Sequence, residues 1–147
     1  MATLKKRIAD AGLTNRFVWL EGRSATEIFP LLDLLVHPTA EEPFGRVICE
    51  AMAAGVPVAA CDSAGPGSIL ADGKTGFLFP KQVERRTSNV ECRSAMAVAI
   101  AERIRYALMH PAECAAVAAA AKAVVRDRYA IGRVADEISA LYFVNND

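Results

Sequence analysis

The apolar positions of this chain fall into short strand-like runs separated by helical patterns. Leu4, Ile8 and Leu13 lie roughly on one face, with Gly12 close by, and predict a short first helix. RFVWLEG (16–22) is rich in aromatic and β-branched residues and closes on Gly22, which predicts a strand with Trp19 in the core. SATEIFPLLD (24–33) opens with the capping-box pair Ser24 and Glu27, and Pro30 is expected to distort or divide the helix that follows. LLVHPTA (34–40) is a continuous apolar run ending in a turn, as in a buried parallel strand. A loop then leads into a helix from about Phe44 to Ala54 with Gly55 as its stop. VPVAACDS (56–63) predicts a second buried strand, followed by the loop SAGPGS. ILADGKTGFLFP (69–80) supplies a short helix or turn, an Asp72-Gly73 turn and a small strand around Phe77. The polar stretch KQVERRTSNVECRS (81–94) reads as an exposed loop. The remainder is helical: about Ser94 to His110, Pro111 to Tyr129, and a last helix ending near Tyr142. Within it, PAECAAVAAAAKAVV reads as a closely packed helix.

Strands alternating with helices predict an α/β fold, a Rossmann-like parallel sheet flanked by helices with a helical C-terminus. Ligands of such sheets collect at the carboxyl ends of the strands. Three loops belong there: the one after Leu20, Pro38 to Phe44, and Asp62 to Ser68. The length, 147 residues, suits one domain over 1–147, and a 53% hydrophobic, 23% charged composition is that of a folded protein. Seventeen basic residues balance seventeen acidic ones, so bulk charge favours neither nucleic acid nor an anionic membrane. Lys5-Lys6-Arg7 and Arg85-Arg86 read as solvated faces. Cys49, Cys61, Cys92 and Cys114 form no C-x-x-C pair, and both histidines precede proline, so no metal-ligand spacing is present. Scattered cysteines, a start without an apolar signal segment, and no stretch suited to span a bilayer point to a reducing, cytoplasmic interior.

The stretch EEPFGRVICEAMAAG (41–55) sets a strand end, a turn through Gly45 and a helix start in succession. Free amides around Phe44, Gly45, Arg46 and Val47 carry partial positive charge and suit a phosphate. Glycine at 45 lets backbone approach closely. Glu42 stands at the positive end of the helix. Glu50 lies about one and a half turns inside, where a buried carboxylate could accept two hydrogen bonds from a vicinal diol such as a ribose. The alternative is an ordinary surface ion pair between Arg46 and Glu50, spaced i, i+4.

The longer string EPFGRVICEAMAAGVPVAA resembles the E-x7-E signature of retaining glycosyltransferases of the GT-B fold, the group often called family 4. Glu42 and Glu50 occupy the two acidic positions, and the F-G, E-A-M-A-x-G and P-V pieces match in order. DGKTGFLF resembles the D-G-x-T-G-x-L piece downstream, and DRYAIGRVADEISALY is similar to the terminal helix pattern. The resemblance runs from about Asn15 to Tyr142 and fits least at Val83 to Arg93. It implies transfer of a sugar from a nucleotide-diphosphate sugar with retention, and no cofactor or metal besides that donor. Glu42 would contact the sugar's hydroxyls, Glu50 the ribose, and the backbone of Phe44, Gly45, Arg46 and Val47 the sugar and diphosphate.

Two departures accompany the match. The family's G-G-x-x-E loop is here Ala64-Gly65-Pro66-Gly67-Ser68, so Ser68 replaces an acidic residue while Gly65 can still turn the chain. The family's first strands of this half, with their glycine-rich turn and basic pair, have no counterpart before RFVWLEG, and neither has the N-terminal acceptor domain. The expectation is therefore the C-terminal, donor-binding half of a GT-B fold missing its first strands, inactive alone, with the whole enzyme acting peripherally at a membrane. His37 reads first as a strand-end histidine satisfied by backbone, and second as a donor or acceptor contact. The competing function is a noncatalytic α/β module acting in protein association, oligomeric through an exposed sheet edge. A dinucleotide-binding oxidoreductase is set aside because no G-x-G-x-x-G follows a strand.

Overall fold

The computed structural model describes residues 2–80 and 90–143. Three parallel strands, β1 (Leu35–His37), β2 (Val58–Asp62) and β3 (Phe77–Pro80), form a sheet in that spatial order. Leu35 pairs with Val58 and His37 with Ala60; Ala59 pairs with Phe77 and Asp62 with Pro80. Helices α1 (Ala2–Asp10) and α2 (Ala25–Ile28) precede the sheet. Helix α3 (Arg46–Ala54) connects β1 to β2, and α4 (Ala64–Ile69) connects β2 to β3. Helices α5 (Val90–Met109), α6 (Pro111–Tyr129) and α7 (Ile131–Phe143) follow. No single helix among the described residues is long and apolar enough to cross a membrane.

The unbroken apolar run of β2 is explained by burial on both faces. Val58 and Ala60 enter a core with Ile48, Ala51 and Met52 of α3, Ile69 of α4, and Ala121 and Val125 of α6. Ala59 and Cys61 enter a second core with Phe77 and Phe79 of β3, Ala107 of α5, and Cys114 and Val117 of α6. The period-2 alternation of a strand thus feeds two layers at once. Helix α6 contributes to both layers, its first half to one and its second half to the other. Its alanines are small enough to let it lie close to α3, as the alanine-rich run suggested.

Several local expectations hold for the expected reasons. Ser24 accepts the Thr26 amide at 3.3 Å and starts α2, and Pro30 ends it, the chain continuing as a 3-10 turn over Phe29–Leu31. Glu27 does not complete the capping box; its carboxylate lies 3.8 Å from Arg23. Gly55 closes α3 in the left-handed region, at φ 82°. The Asp72 carboxylate accepts the Leu78 amide at 2.7 Å and ties the Asp72-Gly73 turn to β3.

Others are corrected. RFVWLEG does not form a strand: Thr14–Arg16 is a 3-10 turn, and Phe17 is extended but belongs to no ladder. A strand needs a neighbour to take its hydrogen bonds, and among the described residues the sheet ends at β1. Trp19 is therefore not core. It is 39% exposed and Val18 80% exposed, with the Lys5 ammonium 5.3 Å from the indole centroid and Phe17 stacked beside it. SAGPGS is not a loop, because Ala64–Ile69 is helical; Pro66 is tolerated in a first turn where its missing amide is not required. Of the segment expected as a loop at 81–94, residues 81–89 lie outside the described residues, and the backbone from Val90 onward is already helix α5.

Cys61 and Cys114 are buried, and Cys49 is partly buried. Burial, reinforced by Glu50 for Cys49 and by Glu113 for Cys114, raises both of these thiols above their usual range. The folded chain keeps these protons longer than the unfolded chain, whose thiols titrate near about 8.5. Their contribution to stability is full below that pH and is lost as pH rises through the folded values. Urea midpoints should fall between pH 7.5 and 9.5, and less steeply in a Cys49→Ala/Cys114→Ala variant; equal slopes would contradict this account.

Candidate functional site

The loop 38–45 leaves the carboxyl end of β1 and enters α3 through Gly45. Gly45 has φ 99° and ψ 53°, a left-handed geometry suited to glycine. A Cβ there would sit 2.9 Å from Ile48 Cδ1. The Gly45 carbonyl accepts from Ile48 and Cys49 at 2.9 and 3.3 Å. The amides of Gly45, Arg46 and Val47 find no acceptor among the described residues, which leaves the positive end of α3 open. The Phe44 amide differs from expectation, since it already donates to Glu42 Oε1 at 3.4 Å.

Glu42, Phe44, Gly45, Arg46, Val47 and Glu50 all line one open cleft of about 440 Å³, joined only by Pro43. A smaller recess of about 250 Å³ adjoins it, lined by Ala40, Glu41, Glu42, Pro43, Ser63 and Ala64. Larger grooves exist, one of about 720 Å³ beside α5 and β3, one of about 740 Å³ between α5 and α6 at the end of α3, and one of about 590 Å³ between α3 and α6. None of them is lined by the loop leaving β1, so position in the fold and not volume singles out the smaller cleft.

Glu50 is exposed, not buried as its apolar neighbours suggested. It stands two residues after the buried Ile48, about 200° round the helix, so it faces away from the core. Ile48, Ala51 and Met52 form the buried stripe. Arg46 and Glu50 make no ion pair within 4.0 Å among the described residues, so both are available to a ligand.

His37 lies outside both recesses, but its Nε2 is 3.3 Å from Glu42 Oε2. Gly65 and Ser68 line neither recess. Gly65 is buried beneath the loop, its amide donating to the Glu42 carbonyl at 3.1 Å. Ser68 donates its hydroxyl to the Gly65 carbonyl at 2.7 Å, within α4. Tyr129, not singled out from the sequence, packs edge-on against Phe44 at 6.0 Å and buttresses the cleft from the end of α6. A tyrosine at a helix end has no distinguishing sequence signal, and only the fold brings it to residue 44.

A Rossmann-like parallel sheet, two carboxylates flanking a glycine turn, and an open helix start at the strand ends define the C-terminal half of a GT-B glycosyltransferase. Residues 1–124 match the family model for glycosyl transferases group 1, and the chain belongs to that family. A GDP-mannose-dependent alpha-mannosyltransferase of Mycolicibacterium smegmatis is 37% identical over 91 residues, which are 60% of this chain and 23% of that relative. Anabaena HepE, solved in complex with UDP and glucose, superposes with a TM-score of 0.75 at 26% identity, over 96% of this chain and 35% of HepE. The C-terminal domain of a glycosyl transferase group 1 family protein, LpcC of Francisella tularensis, shares the fold with a TM-score of 0.69 at 21% identity, over 88% of this chain and 62% of that domain. The chain thus spans about a quarter of the length of the curated relatives it matches.

Proposed function

We propose that this chain is the donor-binding portion of a retaining glycosyltransferase that uses a nucleoside diphosphate sugar. The observation that carries the reading is the single cleft in which Glu42, the open amides of Gly45, Arg46 and Val47, and Glu50 meet. Glu42 accepts hydroxyls of the sugar. The amides and the Arg46 guanidinium hold the diphosphate, and Glu50 accepts the two hydroxyls of the ribose. In the transfer, the acceptor oxygen bonds to the anomeric carbon on the face from which the phosphate departs. The carbon–phosphate oxygen bond breaks, and the acceptor's proton passes to the leaving diphosphate. Charge develops on that leaving group, so fixed amide dipoles and Arg46 do most for the transition state. Acceptor recognition lies with the region that the relatives possess beyond the matched length, and binding without turnover is the activity expected of this chain by itself.

The relatives' printed donors, GDP-mannose for one and UDP with glucose for another, leave the base to experiment. Ligand-observed NMR of the chain with UDP, GDP and ADP and their sugar conjugates should give saturation transfer for one base. Glu50→Ala should abolish it, and Glu42→Ala should keep the nucleotide signal while weakening that of the sugar. A folded chain that gives no transfer with any of them overturns the reading. That result would favour protein association instead, which the exposed Phe17–Leu20 run and the outer edge of β1, unpaired among the described residues, support.

A further inference from the structure

We propose that His37 is a positioning residue for Glu42, holding its carboxylate in the orientation that reads the donor sugar; this rests on the donor-site reading above. Glu42 hangs from a loop on a flexible side chain, yet its carboxylate is held at both oxygens. Oε2 faces His37 Nε2 at 3.3 Å, and Oε1 accepts the Phe44 amide at 3.4 Å. A carboxylate only accepts, so the His37 nitrogen that faces it carries a proton. His37 is the last residue of β1, in register with Ala60, so its backbone is fixed by the sheet. Its side chain is 15% exposed and that of Glu42 24% exposed, which places the pair at the boundary between core and cleft. Two partners fix the plane of the carboxylate, and each oxygen keeps a lone pair for a sugar hydroxyl. Glu42 also lines both recesses, so its orientation sets which hydroxyl each recess offers an acceptor. The sequence offered His37 as a direct ligand contact or a bland strand end; the geometry assigns it a third role, one step removed from the ligand.

The test compares the affinities of UDP-glucose with UDP, and of GDP-mannose with GDP, by NMR titration of the whole chain. His37→Ala should weaken the sugar nucleotide roughly 10-fold, as expected for losing a hydrogen bond to a charged group, and leave the bare nucleotide within about twofold. His37→Phe, which keeps a ring in that space but no donor, should behave alike if the alanine variant folds poorly. His37→Gln, whose amide nitrogen reaches the same place, should restore most of the difference. In a Glu42→Ala background the His37 substitutions should have no further effect. Equal weakening of sugar nucleotide and nucleotide, no weakening of either, or an undiminished His37 effect without Glu42 overturns this inference while the donor site stands. A wild-type chain that binds no nucleotide overturns the donor-site reading and this inference with it.

Discussion

Gly65→Ala should lower stability by about 3 kcal/mol and disturb the cleft at the same time. A methyl group at residue 65 would lie 2.6 Å from the carbonyl oxygens of Glu42 and Phe44 and 2.7 Å from the Phe44 nitrogen. All three are backbone atoms, so none can swing aside as a side-chain tip would. Relief requires α4 and the loop to separate, which breaks the hydrogen bond from the Gly65 amide to Glu42. Overpacking of this kind costs about 1–3 kcal/mol, and three backbone contacts put it at the upper end. Urea unfolding gives the stability, and backbone amide shifts of residues 42–47 report the loop. A variant with the wild-type midpoint and unmoved shifts would show that the contact is not tight.

Phe79→Ala should cost more, about 3–5 kcal/mol, without touching the cleft. The ring is fully buried among Cys61, Phe77, Ala107, Cys114 and Val117, and its backbone is paired to Cys61. In a domain of about 150 residues this lowers the thermal midpoint by roughly 10 °C. Because this core lies on the opposite face of the sheet from α3, the fraction still folded should match the wild type in binding the proposed donor. The two variants together separate stability from site geometry: both unfold early, but only Gly65→Ala should shift residues 42–47 below its transition. By contrast Phe17→Ala, at an exposed position, should change stability by less than about 0.5 kcal/mol.

What could be read from the sequence follows from how local each signal is. The frame of α3 was legible because Gly45 and Gly55 each take a backbone geometry that other residues resist, and both do so for reasons confined to a few neighbours. The burial of β2 was legible because a continuous apolar run between turn residues has few other uses. RFVWLEG misled because strand propensity describes a surface that must still find a partner, and among the described residues no strand pairs with Phe17–Leu20. SAGPGS misled because glycine and proline signal turns, whereas Gly65 is there to let two backbones touch. For Glu50, composition was read where phase was needed, since Ile48, Ala51 and Met52 already define the opposite side of the helix. The six residues expected to contact a donor line one cleft, whereas His37, Gly65 and Ser68, offered as further cleft residues, line neither recess, and the contacts of His37 and Tyr129 arise only on folding.

The two carboxylates of the cleft hang from different supports. Glu42 is braced by β1 through His37 and by α4 through Gly65, whereas Glu50 rides on α3, whose inner face is locked into the core with α6. A lineage could therefore reshape one without rebuilding the other. In the proposed donor site, changes at the strand end and the α4 contact would retune the Glu42 side and leave the Glu50 side intact. On the proposed donor reading, selectivity for the sugar and for the nucleoside would in that sense be separately inheritable.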